Sequence, residues 1–461
     1  MIFQKFCKSF SLKGNEISIE SLLNAREERA LLQQKCLQKY QQTVLSLTLL
    51  AVGGVKQNEL LDYIFARSLE NLTALFTQLD VVPIAEFIRP LETGHEAIFV
   101  LPIEAVRLKK ACIALEDSSP LARLWDLDVI TLNGELLSRT ELGFNARPCL
   151  CCSENAKLCA RSRKHSVEQI VAQMQQRTKA DYFSQQIAEK AYQALLQEVY
   201  LTPKPGLVDK RNNGSHADMT VQTFEHSALA LRPFFAEFVA KGIATADYSA
   251  SQILAEIRPL GIHAERAMLQ ATGGVNTHKG AIFAFGLVCC AIGRLYVQTE
   301  QFAKSTRFSQ LFELVAQFAE GLTAELQNYP ENLPLTHGVK LYRQYGLTGA
   351  RGEAESGLVT IANCLAFIKQ QPVINLHQIL VWLMAHNDDT NVVHRGGLDG
   401  LRFVKQQAVD ILQNFVNETD LRIKLETLDD ECIQRNISCG GSADLLALII
   451  FLLSVSELVS N

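Results

Sequence analysis

The chain has 461 residues, 48% of them hydrophobic and 20% charged, with a formal net charge of −5. This balance is typical of a globular protein with about two or three domains, and the slight negative charge disfavours nucleic acid as the main partner. The start of the chain has too short an apolar run for a signal peptide. The most apolar stretch, 445–455, is about half the length needed to cross a bilayer. We therefore expect a cytoplasmic protein with no membrane partner, whose 12 cysteines are thiols or metal ligands.

The first half of the chain mixes helical and strand patterns, which predicts an α/β domain. Apolar spacing predicts helices over 18–42, 58–76 and 103–115, with Asn58 as an N-cap. Apolar runs bounded by turn residues predict strands over 45–52, 81–89, 97–101 and 123–130.

The last of these strands carries a D-x-D pattern, Asp126 and Asp128. Side chains alternate along a strand, so both carboxylates face one way, about 7 Å apart, while Leu127 and Val129 face the core. Such a pair can bind Mg²⁺ together with a polyphosphate. The pattern resembles that of nucleotidyltransferases and implies their mixed sheet. A solvated strand edge is the alternative.

A turn of small residues precedes the strand, as in nucleotidyltransferases, although Asp117 stands where that family usually has Gly. Its hydroxyls can bind phosphate, and cations in the same half of the chain can assist. The candidate substrate-binding residues here are Ser118, Ser119, Arg123, Arg147, Arg161 and Arg163.

A thiol-rich segment follows, with Cys149, Cys151, Cys152, Cys159 and His165. Four cysteines and a histidine could form a tetrahedral zinc site. However, only one residue separates Cys149 from Cys151, which fits no standard zinc finger. We therefore favour a packed turn whose flanking arginines bind phosphate, and we expect no zinc.

Helical spacing resumes at 166–177 and 181–199, so the domain boundary is placed near Thr178, giving domains 1–177 and 178–461. No segment of the second domain reads convincingly as a strand, which predicts an all-α fold. Pro233 and Pro259 should kink or split their helices. The predicted helices cover 223–241, 249–271, 279–295, 308–327, 359–370, 376–386, 401–416 and 443–459.

The loop 201–219, LTPKPGLVDKRNNGSHADM, is poorly suited to regular structure because of its prolines and glycines. It combines cations, a histidine and carboxylates with flexible backbone, as a site for a phosphorylated ligand requires. A surface turn between helices is the alternative. Its candidate residues are Lys204, Asp209, Lys210, Arg211, His216 and Asp218.

Four later junctions also pair glycine with polar residues. In one of them, Asp388, Asp389 and Asn391 offer the oxygen ligands that Mg²⁺ prefers. Each junction alone could be a simple turn between helices. Ser442 is expected to cap the last helix as well as to bind substrate. The other candidates are Asn276, His278, Lys279, Arg351, Glu353 and Arg395.

Together these motifs resemble two families. Residues 16–171 resemble the transferase that attaches phosphoribosyl-dephospho-CoA to the acyl carrier subunit of citrate lyase, through an Arg- and Glu-rich helix, RLWDLDV, R-x-C-L-x-C and C-A-R-S-R-x-H. From residue 181 onward the chain resembles triphosphoribosyl-dephospho-CoA synthase, through TPKPGLVD, NNGSHADM, GVNTHKGAIF, GARGEA and GGSADLLA. Cys439 stands where many synthases have Pro.

The resemblance implies a bifunctional transferase. In the synthase reaction, the 2'-hydroxyl of 3'-dephospho-CoA attacks C1' of the ATP ribose and adenine leaves. In the transferase reaction, a serine of the apo acyl carrier (gamma) subunit attacks the α-phosphorus of the product and diphosphate leaves, with Mg²⁺ expected. Candidate carboxylates of the synthase site are Asp209, Asp218, Glu353 and Asp388, and candidate acids are His216 and His278.

Two readings from other classes compete with this one. The all-α half with its D-D-T is loosely similar to ADP-ribosyl hydrolases, which would make it an N-glycosidic-bond hydrolase beside a carrier-binding domain. A non-catalytic chaperone of the carrier protein, with the thiol-rich segment as a zinc scaffold, would instead bind carrier without turning over ATP.

Overall fold

The computed structural model describes residues 4–302, 308–330, 332 and 334–456. It divides into two compact units. The sheet unit is Lys8–Tyr182, and the helical unit is Phe183–Asn461 together with Met1–Cys7.

The sheet unit contains one four-stranded sheet in the order β2-β3-β1-β4. Every neighbouring pair is antiparallel, so the predicted mixed sheet is wrong. The strands β3 and β4 do run in the same direction, as the helical crossover between them requires, but β1 lies between them. The elements are β1 (Thr43–Leu49), β2 (Ala85–Leu91), β3 (Gly94–Leu101), β4 (Trp125–Ile130), α1 (Ile19–Tyr40), α2 (Glu59–Gln78), α3 (Ala105–Asp117) and α4 (Ala156–Ser162).

Helices cover both faces of the sheet. One face packs its alternate residues, such as Leu47 and Leu127, against apolar residues of α2 and α3. The other face packs Val44 and Ile98 against Cys36 of α1. The predicted N-cap of α2 is confirmed, because Asn58 Oδ1 accepts the Leu61 amide at 3.0 Å.

The helical unit contains no strand among its described residues, as predicted. The helical stretches predicted at 166–177 and 181–199 join into one continuous helix, α5 (Val167–Tyr200). The helices that follow are α6 (Val221–Ala244), α7 (Ala250–Ala271), α8 (Lys279–Phe302), α9 (Phe308–Ala319), α10 (Ala324–Gln327), α11 (His337–Tyr345), α12 (Gly349–Glu355), α13 (Val359–Lys369), α14 (Leu376–His386), α15 (Thr390–Asn414), α16 (Glu418–Gln434) and α17 (Gly440–Val455).

Several predicted helix limits are corrected. Pro233 and Pro259 lie inside α6 and α7 without splitting them. The predicted helix 308–327 is two helices, separated at Gly321, whose φ of 85° is left-handed. The helices α11, α12 and α16 were not predicted, and the end of the predicted helix 443–459 lies outside the described residues.

The helix α8 runs through the core of its unit. It packs closely against α6 at Gly242. A Cβ at this glycine would lie 1.9 Å from the Cys290 carbonyl oxygen of α8. By length and composition the described segment Lys279–Gln298 could span a membrane, and 78% of its most apolar window is buried inside the fold. Core helices of soluble proteins pass the same test.

Candidate active sites and family

The carboxylate pair, Asp126 and Asp128, lies on β4 as the sequence predicts. Leu127 and Val129 are fully buried in the core, Asp126 is exposed and Asp128 is half-buried. Burial and then the neighbouring Asp126 raise the pKa of the Asp128 carboxyl. The half-buried Asp128 carboxylate is therefore repelled by the exposed Asp126, and a cation would relieve that repulsion.

Two buried residues of α3 fix the backbone between the pair. β4 is an edge strand, and side chains bond its outer edge at Leu127. The Leu127 amide donates to Glu116 Oε1 at 2.9 Å, and Lys109 Nζ donates to the Leu127 carbonyl at 2.7 Å. Neither residue was predicted from the sequence, because both lie on α3, whose pattern is that of an ordinary amphipathic helix.

Arg147 is the predicted cation that the structure brings to the pair. It forms ion pairs with Glu116 and with Asp126 Oδ1, the latter at 3.3 Å. Arg123 Nη2 instead donates to the Pro148 carbonyl at 2.6 Å. Within the described ranges, the exposed side chains of Arg161 and Arg163 have no hydrogen-bond or ion-pair partner.

The predicted phosphate turn uses its hydroxyls locally. Ser118 Oγ donates to the Leu115 carbonyl at 2.7 Å at the end of α3. Ser119 Oγ accepts the Ala122 amide at 3.1 Å. These bonds shape the turn that leads into β4, and they leave the phosphate-binding role of Ser118 and Ser119 a prediction.

The sheet face carrying the pair has further polar residues that the sequence did not reveal. Ser46 lies opposite Asp128 and Thr48 lies opposite Asp126 on β1. Glu96, opposite Thr48 on β3, is buried and accepts from Arg29 of α1 at 3.0 Å. Helix α1 therefore covers a polar row on this face as well as an apolar one.

The structure brings four residues of the thiol-rich segment together. Ligand atoms of Cys149, Cys152, Cys159 and His165 all lie within 4.8 Å of one another. We call these four residues the thiol cluster. Cys151, whose spacing from Cys149 argued against zinc, lies outside it.

In the helical unit, the loop 201–219 is organised by two buried charged residues. Lys204 Nζ pairs with Glu198 Oε1 at 2.5 Å, and both side chains are almost fully buried. Asp209 accepts three backbone amides, from Lys204 at 2.8 Å, Arg211 at 2.6 Å and Asn212 at 3.2 Å. The carboxylate of Asp209 therefore holds the loop's own backbone.

The loop is tied to the end of α16. The Gly206 amide donates to Asp429 Oδ1 at 2.9 Å, and Arg211 pairs with Asp429 and with Asp430. Gly206 has a left-handed φ of 68°, and a Cβ there would lie 2.2 Å from the Ile437 carbonyl oxygen. Only glycine fits this approach.

The rest of the loop contacts α15 and the start of α17. His216 Nε2 lies 2.8 Å from Ser438 Oγ, and Arg395 Nη2 lies 3.1 Å from His216 Nδ1. Burial and then Arg395 lower the pKa of His216. Lys210 Nζ lies 4.5 Å over the Tyr200 ring, and Asp218 is exposed.

Asp389 joins two helix N-termini. It caps α15 by accepting the Asn391 amide at 2.9 Å, and it accepts the Ser442 amide at 2.7 Å and hydroxyl at 3.0 Å in the first turn of α17. Ser442 was predicted to be the N-cap of α17, but the N-cap is Cys439. Asp388 is exposed and pairs with Lys405 at 2.5 Å.

Asp444 was not predicted, although it lies in the last of the quoted motifs. A Cβ at Gly280, in the first turn of α8, would lie 2.0 Å from Asp444 Oδ2. Burial, followed by Glu198 and Asp389, raises the pKa of Asp444 well above its ordinary value. We call Glu198, Asp389 and Asp444 the acidic cluster.

His278 lies in the same region and is buried. Its Nδ1 lies 2.6 Å from Ser227 Oγ, and its Nε2 is buried without a hydrogen-bond partner among the described residues. Burial and then Lys204 lower its pKa to about 3, so the ring is neutral at pH 7. A neutral ring is poorly suited to the acid role predicted for it.

A cavity of about 270 Å³ brings together two cations predicted from separate motifs, Lys279 and Arg351. Lys279 pairs with Glu265 at 2.5 Å and Arg351 with Glu325 at 3.6 Å. Asn276 Oδ1 accepts the Lys279 amide at 3.3 Å. The apolar lining of the cavity includes Phe238, Leu254, Ile257, Ile282, Phe283 and Leu287.

Glu353 belongs to α12, and its side chain contacts the first turn of α13. It accepts the Thr360 amide at 2.9 Å, the Thr360 hydroxyl at 2.7 Å and the Ile361 amide at 3.3 Å. Burial raises its pKa. These bonds give the carboxylate a capping role, and a catalytic role for it stays a prediction.

Comparison with known proteins gives two family matches in tandem. The apo-citrate lyase phosphoribosyl-dephospho-CoA transferase model, CitX, matches residues 17–181. The ATP:dephospho-CoA triphosphoribosyl transferase model, CitG, matches residues 184–461. The Protein CitXG of Haemophilus influenzae is 56% identical over 460 residues, covering 98% of this chain and 99% of the relative.

The chain belongs to the fused CitX–CitG family. It is a bifunctional transferase. Its CitG segment is also similar to the 2-(5''-triphosphoribosyl)-3'-dephosphocoenzyme-A synthase of Haemophilus ducreyi, with 52% identity over 66% of this chain and 99% of the relative. A probable synthase of Salmonella gallinarum is 45% identical over 56% of this chain and 87% of the relative. The carboxylate pair and the thiol cluster lie in the CitX segment, and the acidic cluster and the cavity lie in the CitG segment.

Proposed function

We propose that this chain makes and attaches the citrate lyase prosthetic group in the cytoplasm. Domain 178–461 joins ATP and 3'-dephospho-CoA to give 2'-(5''-triphosphoribosyl)-3'-dephospho-CoA and releases adenine. Domain 1–177 transfers the phosphoribosyl-dephospho-CoA to a serine of the apo acyl carrier (gamma) subunit and releases diphosphate. The observation that carries the proposal is that CitX and CitG matches cover nearly the whole chain in tandem.

For the transfer step, we propose a nucleotidyltransferase-like site on β4. The carboxylate pair would hold Mg²⁺, a fit supported by the raised pKa of Asp128 beside Asp126. When bound there, the ion supplies charge neutralisation for the departing diphosphate. Arg147, already paired with Asp126, would add a fixed positive charge. The donor phosphates would also contact Ser118, Ser119, Arg123, Arg161 and Arg163.

For the synthase step, we propose that Asp444 donates the proton that adenine needs to leave. Burial, followed by the neighbouring Glu198 and Asp389, raises the pKa of this carboxyl, which favours its protonated form. Glu198 is held by Lys204 and contributes to that shift. The exposed carboxylate Asp218 remains a candidate for the base.

The other predicted carboxylates act in our proposal as positioning residues. The carboxylates of Asp209, Asp389 and Glu353 accept hydrogen bonds from backbone amides, so they fix the shape of the site. Asp388 and Asn391 would then be the oxygen ligands for Mg²⁺ on ATP. The remaining proposed substrate ligands are Lys204, Lys210, Arg211, His216, Asn276, His278, Arg395 and Ser442.

The cavity beside α8 suits one part of a nucleotide substrate. Lys279 and Arg351 would bind phosphate at its rim, where each would exchange a carboxylate partner for the ligand. The apolar lining would take a base or the pantetheine chain.

Mass spectrometry of the purified protein with ATP, 3'-dephospho-CoA and apo carrier tests the proposal. Free adenine, diphosphate and a heavier carrier are all expected. Adenine release that is unchanged when dephospho-CoA is omitted would instead support an ADP-ribosyl hydrolase type of activity. Carrier binding without ATP turnover would support the chaperone alternative.

A further inference from the structure

A small hairpin followed by a short helix assembles the thiol cluster. The Cys149 amide donates to the Glu154 carbonyl at 2.6 Å, and the Ala156 amide donates to the Arg147 carbonyl at 3.0 Å. This hairpin presents Cys149 and Cys152, and α4, which follows at once, presents Cys159. His165 comes just after α4, so four ligands arrive from twenty residues of chain or fewer.

The separations within the cluster match tetrahedral zinc. Zinc–sulfur bonds of about 2.3 Å place two thiolates of a tetrahedron roughly 3.8 Å apart. Cys152 Sγ lies 3.6 Å from Cys159 Sγ and 3.3 Å from His165 Nε2. These contacts are too long for a disulfide, whose sulfur atoms are about 2.0 Å apart.

The spacing also fits once the correct pair is used. Two residues separate Cys149 from Cys152, as in the paired cysteines of many zinc sites. Cys151 does not belong to the cluster, and its amide points at Cys149 Sγ at 3.5 Å. The objection to zinc raised by the sequence therefore disappears.

The segment has almost no core of its own. Between Arg147 and His165, only Cys159 is buried, and Leu158 of α4 is 60% exposed. A fold so small and so poor in buried apolar residues usually depends on a metal or a disulfide.

The segment is also joined to the carboxylate pair. Arg147 begins the hairpin and pairs with Asp126 and Glu116. Arg177 Nη2 donates to the Leu150 carbonyl at 3.2 Å, and Arg123 holds the Pro148 carbonyl. The position of Arg147 beside the pair therefore depends on the hairpin keeping its shape.

We propose that the thiol cluster binds one structural Zn²⁺ ion, which holds Arg147 in place beside Asp126. Zinc supplied to the chain is coordinated by three thiolates and one imidazole, a closed tetrahedral set with no open position for substrate. The ion acts on the transfer step only through the position of Arg147.

Metal analysis of the full-length protein, produced with zinc and purified with a reductant, tests this proposal. One zinc per chain is expected in the wild type and in Cys151→Ser, the matched control. Cys152→Ser and Cys159→Ser should lose it. The cobalt-substituted wild type should show the intense visible bands of tetrahedral thiolate coordination, and His165→Asn should alter them.

The wild-type measurement decides the matter even where a variant fails to fold. Wild-type protein that takes up no zinc from a zinc-containing buffer, or that holds iron instead, overturns the proposal. A Cys152–Cys159 disulfide found by non-reducing peptide mapping of metal-free protein also overturns it. Equal zinc loss from Cys151→Ser and Cys152→Ser would contradict the assigned ligand set.

Discussion

Asp128 of the sheet unit and the aspartates Asp209 and Asp389 of the helical unit are bonded in opposite ways. In the sheet unit, Glu116 and Lys109 fix the backbone of β4, and the carboxylate of Asp128 accepts no hydrogen bond from the described residues. In the helical unit, Asp209 and Asp389 are saturated by backbone amides. When other side chains hold the strand's backbone, the carboxylate on that strand is free to react. A carboxylate that itself accepts the backbone amides is a poor candidate for catalysis. Substitutions should distinguish the two roles, because one kind should change activity and the other should change stability.

The largest expected effect is on the carboxylate pair. Asp128→Asn keeps the size of the side chain and removes one charge, so carrier modification should fall about 10²–10³-fold, or roughly 2.7–4 kcal/mol of transition-state stabilisation. Adenine release should continue at the normal rate and the triphosphate intermediate should accumulate, as measured by mass spectrometry. Near-normal carrier loading would mark the pair as a solvated strand edge. Loss of both activities with a lowered melting temperature would indicate a structural role.

The second prediction concerns the boundary between the domains. A transferase fragment ending at Tyr182 keeps Asp181, which accepts from Tyr63 at 2.7 Å and from Arg67 at 2.9 Å. A fragment ending at Thr178 loses both bonds and leaves the Arg67 charge partly buried, so its free energy of unfolding should be lower by about 3 kcal/mol. Urea denaturation of the two fragments measures the difference. If the fragment ending at Tyr182 cannot modify the carrier with premade donor, the two-domain interpretation is wrong.

The third prediction tests the capping role of Asp389. Asp389→Ala removes the acceptor for two helix N-termini, so the free energy of unfolding should fall by about 2 kcal/mol. The exposed neighbour gives the matched control for stability, since Asp388→Ala should change it by less than about 0.5 kcal/mol. A fully stable Asp389→Ala protein without adenine release would identify Asp389 as a ligand of substrate or metal.

The smallest expected effect is a pH-dependent gain in stability. Because the pKa of Asp128 is higher in the folded state, its contribution to stability is greatest at low pH and is lost as the pH rises through the folded pKa. Asp128→Asn should therefore melt slightly above the wild type at pH 7, and the gap should close toward pH 4. Added Mg²⁺ should raise the wild-type melting temperature alone. A variant less stable than wild type at pH 7 would contradict the proposed repulsion with Asp126.

Local signals were predictable from the sequence and long-range ones were not. The alternation that buries Leu127 and Val129, and the cap at Asn58, depend only on neighbouring residues. The support of Glu116 for β4 and the approach of Asp444 to Gly280 depend on tertiary packing, which no local pattern encodes.

The same limit explains why the sequence revealed neither the pairing of the strands nor the grouping of the thiols. An antiparallel sheet and a mixed one have the same strand patterns, because pairing order is set by distant segments. Cys151 and Cys152 are adjacent in sequence, and only the turn of the hairpin decides that Cys152 faces Cys159.

The bond between Gly206 and Asp429 spans 223 positions of the chain. At synthesis rates of about 5–20 residues per second, Asp429 is added roughly 10 to 45 s after Gly206. Until then the loop 201–219 lacks its anchor on α16, whereas the whole sheet unit has already been synthesised. On the ribosome, the transferase half can therefore be complete while the synthase site is still open. If the sheet unit folds alone, we expect a chain released early to attach the prosthetic group but not to make it.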